Sequence, residues 1–395
     1  MHKANGFIAR RCCRPLSILL ATVALCVAAP PVDVASAEDS DALVKFLTPL
    51  SSESGNITFK PGLRVQVRYT YDDTDGNNDI RINRLRLKGG GDVFGLAKYY
   101  AEIKIDSQGK SGEGNGSAAV ENGWLDFTVI PDLDVRVGLY DVPFSRNALT
   151  SDSKLLLVDR SLIKGELSSL GLADNTVGVR AHGRPFGGRF EESGGVFSNE
   201  DCEDGDTKPG KNSEQLMPAG RIVVHLLDPA KPRGYGDYRG SYIGQGQRLA
   251  IGTNFAYLGS ARDSAVGVEE FDLYAWGVDL FFNMGAFTLE AEYDRFTKDM
   301  SSNINGDGWY VQGGYLLPPV LSSFPSLPPI EIAARYQELN PDDTVGGDKQ
   351  WWTTVGFNIY IREHHLKIQT DYTFKSEQGT NVENILFQTQ LQFDF

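Results

Sequence analysis

Residues 383–395 alternate along their length. Ile385, Phe387, Leu391, Phe393 and Phe395 are apolar, whereas Asn384, Gln388, Gln390, Gln392 and Asp394 are polar; Leu386 and Thr389 are the exceptions. A period of two predicts a β-strand with one apolar and one polar face. The pattern recurs upstream. Leu63, Val65, Val67, Tyr69 and Tyr71 alternate with Arg64, Gln66, Arg68 and Thr70, in a strand that begins near Ile57. Residues 80–88 follow, with Ile82 and Leu85 out of phase, which predicts a bulge near Asn83. Further strands are expected at 97–105, around Leu125–Val129, Val135–Leu139, Val177–Ala181, Gly194–Phe197, Ile222–Leu226 and Leu249–Tyr257. Seven more fall at 270–282, 286–296, 308–317, 330–338, 351–361, 365–375 and 383–395, making sixteen.

Many amphipathic strands can close into a transmembrane barrel, where the last strand pairs with the first and removes both edges. A soluble β-sandwich is the alternative. Short connections at 283–285 and 362–365 contrast with longer polar ones at 297–307, 339–349 and 375–382, as in barrels with short periplasmic turns and long outer loops. Aromatic residues such as Tyr69, Trp276, Tyr293, Trp309, Trp352 and Tyr372 suit interfacial girdles. From Pro143 to Asn175 the alternation lapses. A stretch that long without strand pattern is usually functional, and inside a barrel it is expected to fold inward as a constriction loop.

The first 37 residues change the picture. Lys3, Arg10, Arg11 and Arg14 precede the apolar run Leu16–Ala29, and Ala35-Ser36-Ala37 offers a cleavage site. Residues 1–37 are therefore expected to be a secretory leader, 38–55 a short lead-in, and 56–395 the barrel domain. Removal of the leader takes four of 38 basic and one of 52 acidic residues, leaving 34 against 51 and a net charge of −17. That balance argues against nucleic acid as a partner. Three of the four cysteines leave too, so Cys202 has no intramolecular partner.

Sites of other chemistry are weak. Asp73, Asp75, Asn77 and Asp79 place oxygens at alternate positions, but the sixth and twelfth places of a calcium loop are filled by Asn78 and Arg84; a hairpin loop is expected. The acidic run Asp201, Glu203, Asp204 and Asp206 reads as a solvated loop. Gln108-Gly109-Lys110-Ser111 lacks the first glycine of a phosphate loop, Gly89–Gly91 lack dinucleotide spacing, and His364-His365 have no zinc-hydrolase pattern. No catalytic, metal or cofactor site is expected, and no enzyme activity.

Arginine carries the informative chemistry. Arg64 and Arg68 face opposite to the apolar side of the first strand; past the bulge so do Arg84, Arg86 and Lys88. Arg136, Arg180, Arg221 and Arg335 lie on polar sides of later strands. A lipid-facing Arg costs ~2–4 kcal/mol at mid-membrane, so these side chains should point into the lumen. There they would form an anion path, or pair with acids such as Glu102, Asp126, Glu292 and Asp371.

From about Phe59 to Phe395 the chain resembles the phosphate-selective porin O and P family. The resemblance rests on Arg81-Ile-Asn-Arg84-Leu-Arg86-Leu, Gly138-Leu-Tyr-Asp141-Val-Pro143-Phe144-Ser145, Leu149-Thr-Ser151, Val158-Asp159-Arg160-Ser161, Glu292-Tyr293, Ala334-Arg335-Tyr336 and Phe395. It implies a sixteen-stranded antiparallel transmembrane β-barrel with an inward constriction loop, a homotrimer, and an arginine ladder in the bacterial outer membrane. Arg84 and Arg86 match the family's basic strand and Arg160 its post-loop arginine. Asp141 departs from the pattern, standing where the family has a lysine. The expected function is a porin passing small hydrophilic solutes and favouring phosphate or other anions; a general or weakly cation-preferring porin is the alternative, and a barrel-embedded enzyme is a distant one. The expected anion path is Arg64, Arg68, Arg84, Arg86, Lys88 and Arg136, with Arg146, Lys154, Arg160 and Lys164 on the constriction loop. Expected partners are small anions such as phosphate, outer-membrane lipid and lipopolysaccharide.

Overall fold

Each of the sixteen expected strands is present in the computed structural model. The structure describes residues 50–51, 56–74, 76–105, 118–198, 216–230, 238–262, 270–318, 328–379 and 384–395. Residues 1–49, on which the expected leader and most of the expected lead-in fall, the stretch with Cys202 and its acidic neighbours, and Lys110 lie outside the described residues.

A two-residue strand β1 (Leu50–Ser51) pairs with β2 (Thr58–Asp72). The barrel continues through β3 (Asn77–Val93), β4 (Ala97–Lys104), β5 (Ala119–Ile130), β6 (Leu133–Asp141), β7 (Asn175–Gly183), β8 (Phe190–Phe197) and β9 (Met217–His225). It is completed by β10 (Gln247–Arg262), β11 (Glu270–Met284), β12 (Phe287–Asp299), β13 (Ile304–Leu316), β14 (Ile330–Asn340), β15 (Gln350–His364), β16 (Leu366–Glu377) and β17 (Asn384–Asp394). Every neighbour in the chain is an antiparallel partner, and β17 pairs with β2 from Leu386↔Asp72 to Asp394↔Arg64. Closure leaves no barrel edge, which satisfies the backbone in lipid.

The register agrees with the alternation. Gln66 faces Arg84 and Val67 faces Ile82, so Asn83 is the extra residue of a bulge. Without that insertion Arg84 and Arg86 would turn outward, since a one-residue slip exchanges the faces of a strand. Polar-face side chains Gln66, Gln390 and Gln392 are buried, whereas Ile251, Phe255, Val278 and Ile332 on the apolar face are exposed. In a closed barrel the exposed apolar face is the outer one. There, aromatic residues sit side by side across strands, as in Trp276–Tyr293 and Trp309–Tyr336.

Antiparallel alternation puts the connections 142–174 at one end of the barrel and 226–246 at the other, the end with the one- to three-residue turns after β3, β5, β11 and β15. Short turns mark the periplasmic end of such barrels.

Candidate functional site

Residues 142–174 lie against the polar, inward face of the wall. Helix α1 (Arg146–Leu149) is capped by Ser145, whose Oγ accepts from the Ala148 amide at 3.2 Å. The two first amides of that helix, Arg146 and Asn147, donate to the Glu292 carboxylate on β12 at 2.7 and 3.0 Å. Arg146 also pairs with Glu290 at 3.1 Å and stacks its guanidinium 4.1 Å from the Phe281 ring. Farther on, Lys367 donates to the Leu155 carbonyl at 3.1 Å and Asn358 to that of Leu156 at 2.8 Å. The Val158 amide donates to Asp371 at 2.6 Å, and Arg335 to the Asp159 and Arg160 carbonyls at 2.9 and 3.0 Å. Helix α2 (Leu162–Ser169) begins with the Leu162 amide on Gln337, at 2.9 Å. Backbone buried away from water needs such partners, and strands β12 to β17 supply them from their inward side chains.

The opposite part of the lumen, bounded by β2 to β7, holds a cavity of about 760 Å³. Its lining includes Arg64, Arg84, Arg86, Arg136, Lys154, Arg160, Lys164 and Arg180, and the carboxylates Glu102, Glu121, Asp141, Asp152 and Asp174. Eight cationic groups against five acids give the lining a net charge of +3, although the chain as a whole is strongly acidic. Another acidic group lies apart from the cavity: Asp279, Glu290, Glu292 and Asp294 are buried on β11 and β12, where the 142–174 segment docks.

Asp152 is the hub of the cavity wall. It pairs with Arg160 at 2.8 Å, Arg84 at 3.0 Å and Arg64 at 3.9 Å, tying two wall strands to the segment. Burial opposes its charge, but Arg84, Arg160, Arg64 and Arg86 outweigh burial and hold its carboxyl well below the usual range. Asp159 is likewise held low against burial, by Arg68 at 2.8 Å and a hydrogen bond from Gln388. Burial, and then the Arg160 charge, pull Lys164 down.

A carboxyl whose folded pKa is depressed stabilises the fold above its unfolded pKa of ~3.9, and that contribution disappears as pH falls through the lower folded value. Asp152→Asn is therefore expected to lower unfolding stability by the same amount at pH 7 and pH 5. The deficit should narrow only below about pH 4. Urea titrations of both proteins at each pH check this; a deficit that closes between pH 7 and pH 5 would contradict the pairing.

The expected site residues divide into two groups. Arg64, Arg84, Arg86, Arg136, Lys154, Arg160 and Lys164 all line the cavity. Arg136 stacks 3.7 Å from the Trp124 ring and pairs with Asp126 at 2.6 Å; Arg86 meets Glu102 at 3.4 Å and Glu121 at 3.1 Å. Arg68, Lys88 and Arg146 lie apart from it. Arg68 is drawn to Asp159, Lys88 to Asp394, and Arg146 to the acidic wall. Arg180 joins the lining from β7, 4.6 Å from the Tyr140 ring; its polar-side position was the signal for it. Asp152 and the carboxylate anchors Glu290 and Asp371 carry no motif. One Asp/His group among the described residues, Asp126, Asp134 and His182, brings ligand atoms within 4.8 Å. Its Asp126 oxygens already meet Arg136 at 2.6 Å and His182 at 2.8 Å.

The barrel and its basic cavity accord with the model of one family, phosphate-selective porin O and P, which matches residues 56–395. The chain belongs to that family. It is an outer-membrane porin of bacteria, and family and fold are those of a diffusion channel. An uncharacterized protein of Aquifex aeolicus (strain VF5) is 26% identical over 290 residues, covering 70% of this chain and 68% of the relative. Among solved structures, the anion-selective porin from Comamonas acidovorans superposes with a TM-score of 0.62 at 14% identity, covering 86% of this chain and 100% of that one. In vitro folded OmpT of Vibrio cholerae, in its trimer form, gives 0.56 at 11% identity, covering 86% and 99%. At such identities the structural likeness speaks for the fold.

Proposed function

We propose that this porin passes small hydrophilic solutes with a preference for anions, phosphate-like oxyanions among them. The observation that carries the proposal is the net positive lining of the cavity beside β2 to β7. Arg64, Arg84, Arg86 and Arg136 draw anions along the wall, and Lys154, Arg160 and Lys164 tune the narrow point from the inward segment. Guanidinium groups hold phosphate oxygens through paired charge-assisted hydrogen bonds. Arg68 and Lys88 act behind this row, through Asp159 and Asp394, and Arg146 by fixing the segment. The chain works as a homotrimer surrounded by outer-membrane lipid and lipopolysaccharide, a reading supported by the family and by the trimeric OmpT. It has no catalytic role. The Comamonas porin, named for anion selectivity, supports the same reading by fold.

A second reading is a weakly selective general porin. It is favoured by the many carboxylates beside the arginines, Asp152 above all. Phosphate added to a chloride-conducting single channel separates the two. Dose-dependent block that weakens in Asp152→Glu less than in Arg84→Gln supports an oxyanion site on the arginine wall. Absence of block at millimolar phosphate selects the general porin.

A further inference from the structure

The periplasmic-end connection between β9 and β10 is much longer than the turns beside it, and its described part does not stay at the rim. Tyr238 and Ser241 are buried at 4% and 0% exposure. Tyr238 donates its hydroxyl to Glu191 on β8 and accepts from Arg221 on β9 at 3.3 Å. Three residues on, Ser241 donates to Glu331 on β14 at 2.9 Å, and its carbonyl lies 2.8 Å from Nε2 of His364 on β15. The Gln245 and Gly246 carbonyls both accept from Asn283 at the end of β11, at 3.1 Å. These wall residues belong to strands separated by up to half the barrel, so residues 238–246 cross the lumen as a chord.

The chord also meets the segment that enters from the other end. The Gly240 amide donates to the Lys154 carbonyl at 2.9 Å, and Arg146 donates to the Arg239 carbonyl at 3.4 Å. Tyr238 packs with Leu149, Val223 and Ala250. At Gly240 a Cβ would lie 2.5 Å from the Leu156 nitrogen and 3.2 Å from the Leu155 carbonyl carbon, so only glycine permits this approach. Behind the two crossing segments lie Asp279, Glu290, Glu292 and Asp294, no more than 4% exposed. Among the described residues, Arg146 pairs with Glu290 of that group at 3.1 Å and Arg221 with Asp279 at 2.7 Å.

We infer that residues 238–246 form a strap which, together with 142–174, closes the carboxylate-rich half of the lumen to permeating ions and leaves the arginine-lined half as the passage. The strap is thus a selectivity-determining element. Its work is to keep four carboxylates out of the ion path, where they would attract cations and cancel the net positive lining. The inference rests on the anion reading for its sign, and on its own geometry for the existence of the partition.

Two variants of the full chain test it: Tyr238→Ala with Ser241→Ala, which removes the side-chain anchors of the strap on β8, β9 and β14, and Gly240→Val, which wedges strap and segment apart. Heat-modifiable migration on a gel first establishes that each is a folded barrel. The expected result is a single-channel conductance above wild type, with the zero-current potential shifted toward cations. Folded variants with wild-type conductance and potential would overturn the inference. Should Gly240→Val not assemble, the double variant decides alone. A cation-selective wild type would defeat the anion reading, while a variant-dependent rise in conductance would still establish the strap; the two failures are therefore separable.

Discussion

Arg84→Glu combined with Arg86→Glu is expected to turn the channel from anion- to cation-preferring. Both residues stand on β3 past the Asn83 bulge and line the cavity. The double change takes the lining from eight cations and five acids to six and seven, a swing of four charges from +3 to −1. A unit charge about 8 Å from an ion in water is worth ~0.5 kcal/mol, so four amount to about 2 kcal/mol without salt. At 0.1 M, with a Debye length of ~10 Å, about half of that survives, roughly a fivefold change in the occupancy of the passage by anions. The new acids would also repel Asp152, Glu102 and Glu121, which now pair with these arginines. The double Gln variant separates charge from repulsion. It should show weakened anion preference without reversal. Wild-type potentials in both would remove β3 from the conduction path.

Glu292→Leu is expected to loosen the inward segment at its root. The carboxylate accepts from two backbone amides, of Arg146 and Asn147, and from the Tyr310 hydroxyl at 2.8 Å. A buried donor left without an acceptor costs about 1–3 kcal/mol, so two amides put roughly 2–6 kcal/mol at stake. Relief among the neighbouring acids Asp279 and Asp294 offsets part of it. The outcome should be a larger and noisier conductance with a barrel that still migrates as folded, because the strand ladders are untouched. Glu292→Gln keeps one acceptor oxygen and should fall between. A quiet channel of wild-type conductance in Glu292→Leu would mean that the other anchors, Lys367, Asn358 and Asp371, hold the segment without it.

How far the molecule was legible in the sequence depends on the length scale. Strand alternation is a local property, so all sixteen strands were readable, and with them the inward aim of Arg64, Arg84, Arg86 and Arg136. Even the bulge at Asn83 showed as a slipped phase between Ile82 and Leu85. The lapse at 143–175 marked the inward segment, because a run without period two cannot belong to the wall. Strand lengths were less readable: β3 runs from Asn77 to Val93 against an expected 80–88, since Gly89–Gly91 carry no side chains to show alternation.

What the sequence could not reveal is which charges share a space. Acids on β11 and β12 alternate just as Glu102 does on β4, yet Glu290 and Glu292 are covered by the inward segment and Glu102 lines the cavity. The net charge of the chain, −14, is no guide to the lining for the same reason: it counts acids without regard to where the segment lies. Nothing in the alternation marks Tyr238 to Gly246, because backbone that leaves the wall carries no periodic trace. Asp141, the departure from the family pattern, does line the cavity, together with Arg160, Arg180 and Lys164 of opposite charge and Glu121 of like charge.

The central claim is that the passage runs along the arginine wall and favours anions. The zero-current potential of the purified porin in a planar bilayer under a potassium chloride gradient tests it most directly. A potential of the sign set by chloride, moving further toward the anion limit as ionic strength falls, is the predicted result. A potential set by potassium would contradict the account, and would mean that the carboxylates of the lumen, Asp141 among them, govern the ion path.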